Sequence, residues 1–450
     1  MGLIHLFILD FDTMKLSKIY KKFLFALFIV LISCVIWSFK MKVFQFDKIN
    51  GSFEKSILIN LNVSNWLSGD FQKSLEEYVV LNNHLSPLFV RIHNQFEYAF
   101  FNTLHMDNSV VGKENYLFAN VYIDAYYGRD FIGEDSLRIY VKKIKFIQDT
   151  LKKLNKEFIY IQALGKASFY PEYIPDQLKK GNVNITNYFV LKKLLDEYKV
   201  DYINFRPYLL AAKDTSRYPL FTQPGTHWSK YAMAFVMDSI NNFIEQRRQI
   251  DLPELYWTEV EIKHAQNEDN DLASALNLLF PFSTQKYAYP KLKFESHANK
   301  DTPQLLMVGD SYFGNLYEDN FYCSFDSTSQ FWFYNTSVSS LSFPAKLHKY
   351  QLNQLEVLKS SDIVILGCTE HNIKGRSWNF IDDLYGYYKY GNTTSQHEIS
   401  FMKKVDSCKA LANKNILSES EIREIAETQH VSIDSATTIK WLWQLQTKLH

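Results

Sequence analysis

The chain lacks an excess of charge of either sign. Lys+Arg and Asp+Glu both number 49 in 450 residues, so it has no global basic footprint for nucleic acid. It is poor in cysteine. Cys34, Cys323, Cys368 and Cys408 include no CxxC pair, which argues against a zinc or thioredoxin-type site. Three of them follow residue 40, so at most one disulfide joins that part. The twelve histidines show neither HxH nor HExxH spacing, so no metal is implied and no cofactor is called for. Internal repeats and low-complexity tracts are absent. Aromatic residues are plentiful, with 29 Tyr and 35 Phe. Their faces suit sugar rings, but core packing and a biased genome explain the excess more cheaply.

One long charge-free run is present, FLFALFIVLISCVIWSF at 23–39. It sits at the short end of what spans a bilayer as a helix. Lys15, Lys18, Lys21 and Lys22 precede it, and Lys40 and Lys42 follow. The denser cationic flank predicts a single-pass anchor in a bacterial inner membrane, N-terminus inside, with the C-terminal domain in the periplasm. An alternative is a lipoprotein at Cys34, since Leu31-Ile32-Ser33 resembles a lipobox. The expected organisation is a cytoplasmic N-terminus at 1–22, an anchor at 23–39, a connecting region at 40–105, a main domain at 106–385 and a helical C-terminal appendage at 386–450.

Apolar runs at 158–164, 202–205, 304–308, 330–334 and 362–366 read as strands. Helical periods cover 137–154, 185–198 and 229–246, the last capped by Ser229. Strands alternating with helices predict an α/β fold with a doubly wound parallel sheet. Residues 247–300 read as an irregular insertion whose loops line the site.

LLMVGDS at 305–311 ends a buried strand abruptly in Gly-Asp-Ser. Such a strand delivers Ser311 to the carboxyl edge of the sheet, where ligands bind. Ser311 is a nucleophile if a base reaches it; otherwise Asp310-Ser311 simply caps the next helix. His227, in Gly225-Thr226-His227-Trp228, is the candidate base, and a structural histidine beside a packed tryptophan is the plainer alternative. Glu370, His371 and Asn372 emerge from a third strand. Lys166 and Tyr170 follow a fourth. These are candidates for substrate contacts or for capping.

Five segments in this order, GKENYLF, GKASFYPEYIP, TQPGTHWSKYA, LLMVGDSYF and DIVILGCTEHN, resemble the AlgJ/AlgX-like family of SGNH-hydrolase-like proteins associated with O-acetylation of exopolysaccharides. The resemblance covers roughly 106–385. It implies an SGNH-hydrolase-like sheet, with Ser311 as the acetyl-carrying nucleophile and His227 as base. The Ser311 N–H, with Asn315 and Asn372 as possible side-chain donors, would face the oxyanion. The implied acceptor is a polysaccharide, and the implied acetyl donor works through a membrane-bound O-acyltransferase. The family commonly has Asp-x-His-Trp, and Gly225 stands at the aspartate's place. Asp214, Glu370 and Asp201 are candidate substitutes, and Asp310 is expected to shape the nucleophile's turn. Three functions follow: an O-acetyltransferase, a carbohydrate acetylesterase using the same site, or a polysaccharide-binding assembly subunit with a decayed site.

Overall fold

The computed structural model describes residues 58–101, 103–104, 106 and 108–391, with 22–30, 33, 46 and 49–50 before them. These divide into two compact units, Met1–Met106 with Ala273–Phe282, and Asp107–Leu272 with Ser283–His450.

The second unit is built on a seven-stranded sheet. Its strands are β1 (Glu157–Ala163), β2 (Tyr202–Asn204), β3 (Leu305–Gly309), β4 (Gln330–Phe333), β5 (Ser337–Ser340), β6 (Phe343–His348) and β7 (Ile363–Thr369). They lie in the order β6-β5-β4-β3-β7-β1-β2. The strands from β4 to β2 are mutually parallel. β5 and β6 join antiparallel. The sheet is therefore mixed, not the purely parallel one expected. The reason is length: the turn after Phe333 and the turn after Ser340 are far too short for a crossover, which needs a dozen or more residues, so hairpins form instead. Tyr334 and Asn335 take left-handed conformations, at φ 48° and 54°, to make the first of these turns.

Helices cover both faces. They are α1 (Glu134–Lys153), α2 (Asn187–Glu197), α3 (Phe205–Ala212), α4 (Lys230–Arg248), α5 (Ser311–Glu318) and α6 (Phe380–Tyr390). Side chains alternate across a strand, and both sets find apolar partners. Ile159, Ile161, Met307 and Ile365 pack with Met233, Val236, Met237 and Ile240 of α4. Phe158, Tyr160, Leu306, Val308 and Val364 pack with Val141, Ile144 and Ile147 of α1 and with Leu191 and Leu194 of α2. Burial on both faces is why β1, β3 and β7 read as continuous apolar runs. Ser229 caps α4 by accepting from the Ala232 N–H, as expected.

Within the first unit, part of the connecting region at 40–105 is helical, over Val63–Ser68, Asp70–Asn82 and Ser86–Phe101. The expected span at 23–39 is described only in part, as helix over 22–30. No helix among the described residues is long and apolar enough to cross a membrane, so the anchor finds no support there. Residues 392–450, and with them most of the expected helical appendage and Cys408, lie outside the described residues, as does Cys34. Cys323 and Cys368 are free thiols.

Candidate active site

β3 ends in Gly309, and its neighbour in register on β7 is Gly367. Both glycines are fixed by one ring. A Cβ on Gly309 would lie 2.7 Å from the Phe313 Cβ, and one on Gly367 would lie 2.4 Å from the Phe313 ring. Their bare backbones let α5 press onto the sheet edge, which sets Ser311 at its first turn. Asp310 is the N-cap, accepting from the Tyr312 N–H at 3.2 Å. Its other oxygen accepts from the Thr369 N–H at 2.8 Å, the Thr369 hydroxyl at 2.7 Å and the Asn372 amide at 2.8 Å. The fully buried Asp310 thus binds the turn that carries Ser311 to the end of β7.

The candidate base, His227, arrives on a separate loop. Phe221 and Trp228 form an antiparallel bridge around the turn between them. Trp228 is buried edge-on against Tyr312, with centroids 5.0 Å apart. The Tyr312 hydroxyl donates to the Thr226 carbonyl at 2.9 Å. The residue after Ser311 therefore ties down the loop that carries His227. His227 Nε2 lies 2.9 Å from Ser311 Oγ, the contact a nucleophile–base pair requires. The Ser311 backbone N–H lies at the start of α5, where the N–H groups of a helix's first turn have no partner within the helix.

The partner of His227 is Asp271. Its Oδ2 lies 3.1 Å from Nδ1, an ion-pair distance, although the ring N–H is not aligned for a straight hydrogen bond. Asp271 Oδ1 accepts from the N–H groups of Thr226 at 2.7 Å and Leu272 at 2.8 Å. Burial works against ionisation of this carboxyl, but the His227 contact and the two N–H donors outweigh it and hold it below the usual carboxylate range. None of the three acids expected from the sequence serves. Glu370 pairs with Arg206 at 2.5 Å and accepts from Gly165 N–H at 3.3 Å and from the Ser168 hydroxyl. Asp201 pairs with Arg247 at 2.8 Å, and Asp214 is exposed after α3.

Gly225 has a steric explanation. A Cβ there would meet the Asp269 carbonyl oxygen and the Thr222 hydroxyl, each at 2.6 Å. The backbone leading to Asp271 fills the room an aspartate at 225 would need. Thr222 Oγ1 fastens this approach, donating to the Asp269 carbonyl at 2.7 Å and accepting from Gly225 N–H at 3.1 Å. The sequence signal was the acid-rich Asn267-Glu268-Asp269-Asn270-Asp271 in the loop-rich insertion.

The remaining candidates have supporting places. The Lys166 amine, sealed in the core, donates to the carbonyls of Gln223 at 2.9 Å and Gly225 at 2.6 Å. The rings of Tyr116 and Phe118 lie 5.6 and 5.4 Å from it. It braces the histidine loop from behind. Tyr170 belongs to an aromatic cluster with Tyr116 and Tyr173, away from the serine's contacts. The Asn372 amide is spent on Asp310 and Thr369, so it is not a ready oxyanion donor. Asn315 is buried one turn into α5. Sequence reasoning missed Tyr334, in the left-handed turn after β4. Burial, and then Asp310, push its phenol up, while Ser311 and Asn372 act against the rise.

Fold and site together define a class: an α/β protein with a serine, a histidine and an aspartate at the carboxyl edge of its sheet. No family model and no curated protein matches the chain. Among solved structures it is similar to the O-acetyltransferase domain of Pseudomonas putida AlgJ (15% identity, TM-score 0.42, covering 62% of this chain and 99% of that one). It is similar to Pseudomonas aeruginosa AlgX (14%, 0.42, 64% and 71%) and to Bacillus cereus PatB1 with a sulfonyl adduct (9%, 0.39, 60% and 99%). The AlgJ/AlgX-like resemblance read from the sequence is met again here. At such identities the activity must be argued from the chain's own residues.

Proposed function

We propose that this protein is an O-acetyltransferase that works through an acetyl-serine at Ser311 and passes the acetyl group to a hydroxyl of an exported polysaccharide. The observation that carries the reading is the 2.9 Å contact of Ser311 Oγ with His227 Nε2, backed by Asp271 on the far nitrogen. In the first half, Ser311 Oγ attacks the donor's acetyl carbonyl and His227 takes its proton. The oxyanion forms against the Ser311 N–H, collapse expels the donor's leaving group, and His227 protonates it. In the second half the acceptor hydroxyl attacks the acetyl-serine, gives its proton to His227, and Ser311 recovers one as it leaves. Asp271 holds the ring's tautomer and stabilises the imidazolium.

An acetyl donor outside the cytoplasm requires a membrane partner, in keeping with the cation-flanked apolar run at 23–39, which we read as an anchor. A decayed site had Gly225 as its ground, and the 3.1 Å approach of Asp271 to His227 supports the active reading instead.

The test is Ser311→Ala. The full chain mixed with p-nitrophenyl acetate should release a stoichiometric burst of p-nitrophenol and gain one acetyl group on the Ser311 peptide by mass spectrometry. The variant should show neither, and in its native host it should abolish surface O-acetylation at a normal protein level. Unchanged acetylation would return the protein to a binding role.

A further inference from the structure

His371, in the segment after β7, takes no part in the reaction as drawn, and its hydrogen bonds fix its tautomer. The Thr369 hydroxyl has a single proton, and that proton goes to the Asp310 carboxylate, 2.7 Å away. Thr369 Oγ1 can therefore only accept at its 2.9 Å contact with His371 Nδ1. The ring must carry its proton on Nδ1, which leaves a lone pair on Nε2. The ring packs against Tyr122, with centroids 4.3 Å apart, and is half-buried. Nε2 has no protein partner among the described residues, and it is not among the sealed atoms. Burial, with Lys374 and His227 acting the same way and Asp310 opposing, lowers the ring to about 4, so it is neutral across the physiological range. Through Thr369 and Asp310 it is joined to the turn that carries Ser311.

A neutral acceptor of fixed tautomer, joined through Thr369 and Asp310 to the turn that carries Ser311, has an obvious complement, which is a hydroxyl group. We propose that His371 Nε2 accepts a hydrogen bond from a second hydroxyl of the acceptor, adjacent to the hydroxyl that attacks, so that vicinal polyols are preferred over simple alcohols. This rests on the acetyl-serine reading above. One hydroxyl gives its proton to His227 as it attacks, while its neighbour donates to His371 and stays intact. The arrangement suits a sugar ring, where neighbouring carbons carry hydroxyls. It makes His371 a specificity-determining residue distinct from the base.

The experiment is a competition on one acyl-enzyme. The full chain is turned over with p-nitrophenyl acetate in the presence of equal glycerol and 1-propanol, and the two acetate esters are quantified. The wild type should favour glycerol. His371→Asn keeps a side-chain N–H in the place of Nδ1, toward Thr369, and lacks Nε2. It should lower the glycerol-to-propanol ratio roughly tenfold, the scale of one lost hydrogen bond. His371→Gln, whose carbonyl can stand where Nε2 does, should retain the preference. Because the readout is a ratio, a general loss of activity cancels. Should the asparagine variant not fold, His371→Phe, which preserves the ring against Tyr122, takes its place. A wild type with no preference for glycerol, or an unchanged ratio in the variant, would overturn the inference. A wild type that gives no burst at all would instead sink the acetyl-serine reading.

Discussion

The position of the acid shows what a short motif can and cannot reveal. Ser311 and His227 were legible because each signal is local: an apolar strand that stops at Gly-Asp-Ser, and a Gly-Thr-His-Trp loop before a capped helix. Asp271 was not. It lies 45 residues after Thr226 on an irregular loop, and only the folded approach of that loop gives it a role. Glycine at 225 looked like a defect but is a requirement of the approach, since a Cβ would sit 2.6 Å from the Asp269 carbonyl. Two expectations follow. Asp271→Asn retains the shape and removes the charge, so the burst rate with p-nitrophenyl acetate should fall by about 10²–10⁴, as when a triad acid is lost. Restoring the family pattern in the wild-type background, by Gly225→Asp, should also lower the rate, because the new side chain displaces the loop that carries Asp271. A Gly225→Asp variant with undiminished activity would show that the loop yields and that the steric account is wrong.

At the scale of elements, periodicity served well wherever both faces of the sheet are buried. β1, β3 and β7 are mainly apolar, and α1, α2 and α4 carry the helical period that covers them. The hairpin strands escaped notice for physical reasons. Ser337–Ser340 is mostly serine, and Phe343–His348 contains a proline, so neither reads as a buried strand. The closeness of α5 to the sheet was equally hidden, because it depends on Gly309 and Gly367 lying beneath the same phenylalanine from two strands distant in sequence. Gly367→Ala tests that packing. Its methyl would enter the Phe313 ring, which Trp228 and Gly309 enclose on other sides. The expected cost is about 1–3 kcal/mol of stability in urea unfolding, with slower acylation of Ser311 as α5 is pushed outward. Adding Phe313→Leu should recover part of the stability. Equal stability of the single variant and the wild type would mean that the ring has room to turn.

For the molecule as a whole, balanced charge leaves buried titratable groups to govern how stability depends on pH, and Lys166 is the clearest. Burial lowers its amine from the usual 10.5 to about 7, with Asp271 opposing. Between about pH 7 and 10.5 the unfolded chain holds a proton that the folded chain does not, so this group makes stability rise with pH through that window. Below about 7 both states are protonated and the contribution is flat. Lys166→Met removes the ionisation and leaves the Gln223 and Gly225 carbonyls without their donor, at a cost of about 1–3 kcal/mol. Urea midpoints of the two proteins, measured at about pH 7 and about pH 9, separate the two effects. The loss of donors should appear at both values. The ionisation should widen the gap between wild type and variant at the higher pH, because only the wild type gains from losing its buried charge. A gap that stays constant across the window would mean that Lys166 remains charged in the core. The cation would then be held there by the carbonyls and by the faces of Tyr116 and Phe118, and the histidine loop would be braced by an ion at every working pH.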